Sequence, residues 1–318
     1  MSTTTKYYLG VDGGASKTAA LVSDKDGQAL GRGIAGPSNH LRVGIETATR
    51  NIERAVNIAL VEAGMAIRQV EYAYCGIAGA DHPAHRQRVI DSLRIFFPRG
   101  NFIVDNDARI ALTGAVGFGS GIVIISGTGS VAFGRNESGE EARAGGWGPT
   151  IGDEGSGYAI ARDGLSAIVR AHDGRGRVTK MTELLCYDYD MCSPEDLPRF
   201  VYATTTHVDD IARYGKLVIE AARSGDAVAT EILDRAGRDL ADCVLAVGRR
   251  LRLNETAFPV AYVGGVFNAE DLLLGPMRAS VAREAPRAML TPPKNTPVEG
   301  AAMMAIRAAE HPRAERRP

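Results

Sequence analysis

The sequence predicts an α/β protein of two domains that share one architecture. Its 318 residues are more than one ordinary hydrophobic core accommodates, so two domains are expected. Apolar, strand-like runs alternate with helical stretches, and the same order starts again at Gly121. Each half also opens with two strands joined by a turn rich in glycine and hydroxyl residues. The predicted domains span residues 1–117 and 118–297.

The first half is predicted to begin with three strands, after which helices alternate with two more strands. The predicted strands are residues 7–11, 19–22, 28–34, 70–77 and 101–104. Helices are predicted for residues 46–63, for residues 83–97 and after Asp107, and loops for residues 36–40 and 78–81. Gly64 supplies a C-terminal stop for the first helix, and Pro83 suits the first turn of the second.

The second half repeats this pattern with a larger helical insertion. The predicted strands are residues 121–126, 131–134, 142–144, 259–263 and 287–290, of which the third has the weakest signal. A long helical stretch follows the third strand and is interrupted at residues 173–176 and 193–194. Its clearest helix spans residues 227–250, where apolar residues form one stripe, and a last helix is predicted for residues 298–309.

The first strand–turn–strand unit is a candidate phosphate-binding hairpin. Glycine lets backbone N–H groups approach an anion closely, while hydroxyl and ammonium groups add donors and positive charge. The candidate phosphate contacts are Gly13, Gly14, Ser16, Lys17 and Thr18. Asp12, at the end of the first strand, is suited to hold Mg²⁺ through a bound water. The glycine, lysine and hydroxyl spacing of a Walker-type loop is absent, and a plain tight turn is the alternative.

A second hairpin of the same design strengthens this interpretation. Its candidate phosphate contacts are Gly127, Thr128 and Gly129, between strands 121–126 and 131–134. Two such turns, facing each other across a cleft, could hold the two ends of a polyphosphate. The recurrence favours a nucleotide site over two unrelated turns.

The motifs together resemble the N-acetylglucosamine kinases of the BadF/BadG/BcrA/BcrD ATPase family, within the actin–hexokinase–Hsp70 superfamily. The matching segments are Val11–Gly14, Ser38–His40, Asp107–Ala108, Ser126–Ser130, Gly145–Gly148 and Gly152–Ser156. The resemblance implies two ribonuclease H-like (actin-like ATPase) domains of duplicated architecture with an active-site cleft between them. It also implies that the C-terminal helix, residues 298–311, packs on the first domain, and that ATP and Mg²⁺ are used.

Asp107 is the predicted general base, because it follows a strand and matches the catalytic aspartate of the family's Asp-Ala motif. A carboxylate there can instead cap a helix, and Asp105 is a local rival for the role of base. The resemblance assigns Asp153 to sugar hydroxyls, since one carboxylate can accept two hydrogen bonds. Asp153 is also a weaker second candidate for positioning Mg²⁺-bound water, and a solvated acidic turn is the plain alternative.

The other predicted sugar contacts lie in glycine-rich or irregular loops. Trp147 is the only tryptophan and is flanked by Gly146 and Gly148, which leaves its ring free to face a sugar unless it is a core residue. Asn39 can donate and accept hydrogen bonds, although turn asparagines are common. Gly79 matches the family's sugar-loop glycine, but Ala78 occupies a position where some relatives carry serine, which removes a possible hydroxyl contact to the sugar.

Two further groups complete the residue predictions. Gly264 and Gly265 follow an apolar strand and resemble the family's adenosine-side motif, with a simple strand-end turn as the alternative. His40, His82 and His85 lack metal-ligand spacing and are predicted to be loop or surface residues.

Composition excludes several classes of function. The formal net charge is -1, from 37 basic and 38 acidic residues, which does not suggest a nucleic-acid or membrane-surface binder. Four cysteines without CxxC spacing indicate reduced thiols, and the first residues lack signal-peptide features, so a cytoplasmic location is expected. The oligomeric state stays open, with a homodimer as one alternative.

The sequence therefore predicts an ATP-dependent kinase acting on the 6-hydroxyl of N-acetylglucosamine, glucosamine or N-acetylmuramate. One alternative from the same family is an ATPase that activates 2-hydroxyacyl-CoA dehydratases, which needs cysteine ligands for an iron–sulfur cluster. Cys186 and Cys192 do not show cluster-like spacing. Another is a non-catalytic sugar sensor, which would carry a helix-turn-helix segment before a first strand that here begins by about residue 6.

Overall fold

The computed structural model describes residues 6–188 and 193–311, so Cys192 and the arginine-rich tail from Arg313 lie outside the described residues. The chain folds into two compact units. Unit 1 comprises Met1–Phe118 and Pro293–Pro318, and unit 2 comprises Gly119–Pro292. The domain limits drawn from the sequence stay a prediction. No helix in the described ranges is long and apolar enough to cross a bilayer.

Unit 1 is built on a mixed five-stranded sheet. Its strands are β1 Tyr7–Gly13, β2 Thr18–Ser23, β3 Ala29–Ala35, β4 Val70–Ile77 and β5 Phe102–Asp105, in the order β3-β2-β1-β4-β5. The first three strands are antiparallel neighbours, and β4 and β5 continue the sheet in parallel. Its helices are α1 His40–Val43, α2 Ile45–Glu62, α3 Pro83–Leu93 and α4 Asp107–Val116, together with the C-terminal helix α12 described below.

Unit 2 has a sheet with the same strand order. Its strands are β6 Gly121–Ser126, β7 Ser130–Arg135, β8 Glu141–Gly145, β9 Phe258–Val263 and β10 Ala288–Thr291, in the order β10-β9-β6-β7-β8. Its helices are α5 Gly157–His172, α6 Met181–Asp188, α7 Leu197–Val201, α8 Val208–Ala212, α9 Gly215–Arg223, α10 Ala227–Arg250 and α11 Asp271–Glu284. The protein is thus an α/β fold with two mixed five-stranded sheets.

The long, strongly periodic elements match their sequence predictions. Strand β4 and helix α10 have the predicted bounds. All residues of β4 from Tyr72 to Ile77 are buried, and the apolar residues of α10 form a buried stripe. Helix α3 ends at Leu93, four residues before the predicted end, and the buried ring of Phe97 turns back onto Phe102 with 4.8 Å between centroids. The predicted loop at residues 36–40 leads into the short helix α1, which the side chain of Asn39 caps.

Helix α12, Pro297–Glu310, packs against α4 and β1 of unit 1. Glycines allow the backbones to touch. A Cβ placed on Gly300 would lie 2.1 Å from the carbonyl oxygen of Ile110, and one on Gly10 would lie 2.4 Å from the nitrogen of Ala302. No side chain fits between these elements without moving the backbone, so α12 is an integral part of unit 1.

Candidate active site

The first hairpin is held in place by backbone hydrogen bonds to two loops. Gly14 N donates to Lys17 O at 2.9 Å and closes the turn between β1 and β2. Ser38 N and Asn39 N both donate to Gly14 O, and Ala78 N donates to Gly13 O at 2.8 Å. The predicted phosphate turn therefore lies beside the loops that carry the predicted sugar contacts of unit 1.

The hydroxyl residues of this hairpin have different surroundings. Ser16 and Lys17 are exposed at the tip of the turn. Thr18 is fully buried, and its Oγ1 donates to Gly36 O at 2.7 Å and lies 2.8 Å from Ser38 Oγ. The prediction that Thr18 presents its hydroxyl to a phosphate needs correction, because this hydroxyl ties the hairpin to the following loop.

The second hairpin is fixed to the first turn of helix α5. Gly127 N donates to Gly129 O at 2.9 Å within the turn. The carbonyl oxygens of Gly127 and Thr128 accept hydrogen bonds from Gly157 N and Tyr158 N, at 2.7 and 3.3 Å. A Cβ on Gly127 would meet no atom within 4 Å, so one side of this turn is open to a ligand.

Asp153 lies against the same hairpin. Its carboxyl group is largely buried, and a Cβ on Gly129 would come within 2.6 Å of its Oδ2. Gly148 N donates to Asp153 Oδ1 at 3.3 Å. Burial raises the pKa of Asp153, and backbone donors at Gly148 and Ser130 oppose that shift. The residue also has a positive φ of 59°, a conformation that costs energy in residues with a side chain. The fold thus holds Asp153 in a fixed place between two of the predicted ligand loops.

Trp147 is a surface residue, which rules out its alternative as a core tryptophan. It is 66% exposed, and the Arg143 guanidinium lies over its ring at 5.1 Å from the centroid. Gly145, Gly146 and Gly148 have φ values of 75°, 71° and 87°, in the left-handed region that glycine tolerates best. This backbone path is what leaves the indole outside the core.

Asp107 is the first residue of α4, while its neighbour Asn106 is the cap. Asn106 Oδ1 accepts from Ala108 N, the bond that an N-cap side chain makes. Asn106 therefore occupies the N-cap position, while backbone N–H groups of Ala108 and of Asp107 itself also interact with the Asp107 carboxyl group. Burial raises the pKa of Asp107 to about 7, and the nearby charges of Asp12 and Asp81 add to the shift. Such a carboxyl group has the proton affinity of a general base at neutral pH.

Asp105, the rival candidate, is committed to structural contacts. Tyr74 Oη donates to its Oδ2 at 2.6 Å, and Asn106 N donates to its Oδ1 at 2.8 Å. Arg109 forms an ion pair with the same carboxylate, and Arg86 lies 3.7 Å away. Because its oxygens already have these partners, Asp105 is poorly placed to accept a substrate proton.

Asp12 lies at the end of β1, beside the turn of the first hairpin, and its carboxyl group suits a hydrated cation. Burial raises its pKa to about 6, and the positive charge of Lys17 opposes that shift. Its charge also interacts with that of Asp107, so a cation between the two carboxylates would relieve their repulsion. Within residues 6–188 and 193–311, no three His, Cys, Asp or Glu side chains are grouped so that they could hold a metal. The donor set therefore fits Mg²⁺ that keeps most of its waters.

Asn39 and Gly79 are brought together in unit 1. Asn39 Oδ1 accepts from Leu41 N at 3.1 Å and so caps α1. Gly79 has a φ of 84°, and a Cβ there would lie 3.0 Å from the same Oδ1.

In unit 2, Gly264 has a φ of 121° and packs onto the backbone of Ser126, while Gly265 has open space where a Cβ would point. Both glycines are exposed, so the backbone of the pair is accessible to a ligand.

Sequence reasoning missed two groups near these loops. Asp81 accepts a hydrogen bond from Asn106 Nδ2, beside the candidate base. The three histidines form a cluster, with 5.5 Å between the ring centroids of His40 and His85 and 5.6 Å between those of His82 and His85. His40 is buried, so the expectation of a surface position is wrong for it. His40 lies in α1, whereas Asp81, His82 and His85 lie at the start of α3, so local sequence patterns do not show that His40 meets the others.

The buried imidazole of His40 predicts an acid-sensitive fold. Neither of its nitrogens has a hydrogen-bond partner, and burial lowers its pKa, with the charges of His85 and Arg88 adding to the effect. The unfolded chain binds this proton more readily, so stability is complete above the ordinary pKa of about 6.5 and falls as pH drops below it. Urea midpoints at pH 7.5 and 5.5 should differ less for His40→Phe than for the parent.

The exposed His311 provides the control for this comparison. A His311→Phe variant should keep the parent's pH dependence. If His40→Phe and the parent lose the same stability on acidification, the buried imidazole is not the group responsible.

Comparison with known proteins gives matches along nearly the whole chain. A family model described as the BadF/BadG/BcrA/BcrD ATPase family matches residues 9–305. N-acetylmuramic acid/N-acetylglucosamine kinase of Clostridium acetobutylicum is 34% identical over 300 residues, which are 94% of this chain and 98% of that protein. N-acetyl-D-glucosamine kinase of Dictyostelium discoideum is 30% identical over 312 residues, which are 95% of this chain and 98% of that protein.

Solved structures share the fold. A protein from Chromobacterium violaceum, proposed to be an N-acetylglucosamine kinase, superposes with a TM-score of 0.76 and 26% identity over 95% of this chain and 99% of its own. A ROK family glucokinase from Streptomyces griseus, in complex with glucose and AMPPNP, gives a TM-score of 0.61 at 21% identity. The superposition covers 94% of this chain and 98% of the glucokinase chain. At that identity the second comparison shows a likeness of fold alone.

Proposed function

The chain belongs to the BadF/BadG/BcrA/BcrD ATPase family, and from that premise we propose that it transfers the γ-phosphoryl group of ATP to the 6-hydroxyl of an amino sugar. N-acetylglucosamine is the proposed substrate, with glucosamine and N-acetylmuramate as close relatives. The names of the two relatives at 34% and 30% identity support this choice. The observation that carries the proposal is Asp107, a carboxyl group in the first turn of α4, after the N-cap Asn106, whose pKa is raised to about 7.

In this reaction Asp107 accepts the proton of the sugar hydroxyl as the hydroxyl oxygen bonds to the γ-phosphorus. The bond between the γ-phosphorus and the bridging oxygen of ATP breaks, and ADP leaves. Phosphoryl transfer needs little covalent chemistry from the protein, so alignment and charge compensation account for most of the rate. A pKa near the working pH lets Asp107 be ionised in an appreciable fraction of molecules and still bind the proton well.

We propose that the two hairpins bind the phosphates of ATP. In the first, the backbone at Gly13 and Gly14 and the exposed Ser16 and Lys17 are the contacts, whereas the hydroxyl of Thr18 is structural. In the second, residues 127–129 supply backbone and hydroxyl donors, and Gly264 and Gly265 lie on the adenosine side. Asp12 holds Mg²⁺ through water. When bound, Mg²⁺ supplies positive charge that offsets the charge of the phosphates.

The proposed sugar contacts come from both units. Asn39 and Gly79 of unit 1 already lie side by side, and Asp153 of unit 2 lies next to Gly148. Gly146 and the exposed Trp147 complete the proposed set. The shared strand order of the two sheets supports the further proposal that the units are duplicated, actin-like ATPase domains of the ribonuclease H type.

The dehydratase-activator alternative gains no support from the thiols. Iron–sulfur clusters need thiolates, but burial raises the pKa of Cys75 to about 12 and that of Cys243 to about 11. These two cysteines also belong to different units. We therefore retain the sugar kinase as the proposed function.

A screen of sugar substrates tests this function. Phosphorylation of N-acetylglucosamine, glucosamine, N-acetylmuramate and glucose is followed by ATP consumption and by phosphorus NMR of the product. We expect kcat/KM to be higher for an N-acetylated sugar than for glucose, because a site that pairs with the acetamido group is left with unpaired polar groups by glucose. Equal or better turnover of glucose would contradict the amino-sugar assignment, and no phosphorylated sugar at all would contradict the kinase.

A further inference from the structure

We propose that Asp81 is a positioning residue for Asp107 and acts through the side chain of Asn106. This inference rests on the proposed kinase function. Asp81 follows the predicted sugar loop, residues 78–81, and its Oδ1 accepts a hydrogen bond from Asn106 Nδ2. Asn106 immediately precedes the candidate base. Asp81 itself is exposed, so core packing does not explain its place in this contact.

The side chain of Asn106 is fixed at both ends. Its Oδ1 accepts from Ala108 N and so caps helix α4, while its Nδ2 donates to Asp81. An amide held at both its oxygen and its nitrogen cannot rotate freely about its side-chain bonds. The backbone of Asn106 is thereby held in an extended conformation, with φ of -71° and ψ of 142°. Because Asp107 is the next residue, this backbone conformation sets the direction in which the Asp107 side chain points from the start of α4.

The loop that presents Asp81 is itself braced from helix α3. Arg86 Nε donates to Ala80 O at 3.1 Å, and Arg86 Nη2 approaches Asp81 O at 3.4 Å. The same guanidinium lies 3.7 Å from the carboxylate of Asp105 at the end of β5. Asp81 is thus a fixed acceptor, and its bond to Asn106 connects the loop of Gly79 to the start of α4. A shift of the loop would be passed on to Asp107.

Two substitutions at Asp81 separate a geometric role from a charge effect. Asp81→Ala removes the acceptor for Asn106 Nδ2. Asp81→Asn removes the charge but keeps an oxygen that can accept the bond. Asp91→Ala is the control, since Asp91 is an exposed carboxylate of α3 whose Oδ1 accepts from Gln87 Nε2 at 2.8 Å.

We expect Asp81→Ala to lower kcat by about ten- to a hundredfold with the KM for sugar little changed, because small displacements of a reacting group cost rate. Asp81→Asn and Asp91→Ala should stay close to the parent when kcat is compared at a pH high enough to keep Asp107 ionised in every variant, because the charge of Asp81 contributes to the raised pKa of Asp107. A loss in Asp81→Asn as large as that in Asp81→Ala would show that charge matters rather than position. A raised KM at unchanged kcat would make Asp81 a substrate ligand. Either result overturns the proposal.

Exchanging the two partners gives a second test. Asn106→Asp keeps a good helix cap but removes the donor and sets two carboxylates against each other. We expect it to lose as much kcat as Asp81→Ala. The double variant Asp81→Asn, Asn106→Asp exchanges the carboxylate and the amide and should recover part of that loss. A double variant no better than Asn106→Asp alone would contradict a role that depends on this hydrogen bond.

Crystal structures of the variants decide the inference independently of turnover. In Asp81→Ala the carboxyl group of Asp107 should be displaced or occupy several conformations, whereas in Asp81→Asn it should superpose on the parent. An undisturbed Asp107 in Asp81→Ala overturns the positioning role. If the parent protein phosphorylates no amino sugar, the proposed function fails, and these structures still show whether Asp81 positions Asp107.

Discussion

Replacement of Asp107 by asparagine should lower kcat by about 10²–10⁴-fold, the usual contribution of a general base. Asparagine has nearly the same size and can still accept one hydrogen bond from the sugar hydroxyl, but it cannot take the proton. Sugar affinity measured by calorimetry should therefore change much less than kcat. The parent rate should also decline as the pH falls through the pKa of Asp107, where the carboxylate becomes protonated, and the residual rate of the variant should lack this decline.

Asp105→Asn is the matched control, two residues away. Its carboxylate forms an ion pair with Arg109 and accepts a hydrogen bond from Tyr74. Its replacement should therefore clearly lower the urea midpoint of unfolding, while kcat per folded molecule should change little. The opposite pattern, with Asp107→Asn keeping more than about a tenth of the parent kcat, would remove Asp107 as the base.

Gly300→Ala should destabilise unit 1 by at least about 3 kcal/mol, at the upper end of the usual cost of overpacking. The added Cβ would lie 2.1 Å from the carbonyl oxygen of Ile110 and 2.5 Å from the nitrogen of Gly114, both of them backbone atoms of α4. Helices α12 and α4 would have to separate. The gain in helix propensity, about 1 kcal/mol, is too small to offset this. Urea unfolding monitored by circular dichroism measures the loss.

Gly164→Ala provides the comparison, because Gly164 also lies inside a helix. There the added Cβ would meet a side-chain methyl of Val218 at 2.5 Å, and a side chain can adjust more easily than a backbone. The loss should be clearly smaller than that of Gly300→Ala. Equal losses would show that the backbone contact between α12 and α4 has no special role.

Elements with a strong local pattern were predictable from the sequence. The two hairpins, strand β4 and helix α10 follow from runs of apolar residues and from glycines at turns, which are properties of neighbouring residues. The segment 36–40 was harder, because a single turn of helix begins within it. Asn39 shows why: its capping bond to Leu41 is compatible with a turn as well as with a helix.

The candidate site was predictable in its residue types but not in its division of roles. Sequence placed a carboxylate at the end of β5 but could not distinguish a capping Asn106 from a capping Asp107. That difference depends on where the helix begins, and the structure puts Asn106 at the N-cap and Asp107 at the first helical position. The burial of the Thr18 hydroxyl, the approach of Asp81 to Asn106 and the contact of His40 with His85 all depend on loops distant in sequence. Such contacts exist only once the sheet has assembled.

The return of helix α12 to unit 1 has a consequence for synthesis on the ribosome. Strand β1 and helix α4 leave the ribosome first. Their backbone surfaces around Gly10 and Gly114 can pack against α12 only after residues 297–310 have been synthesised. All of unit 2 is translated in between, which at about 5–20 residues per second takes roughly 10–40 s. During that interval the nascent first unit lacks one of its layers and exposes apolar sheet surface. Chaperone binding should therefore be strongest on chains halted before residue 297, and should decline once α12 has been made.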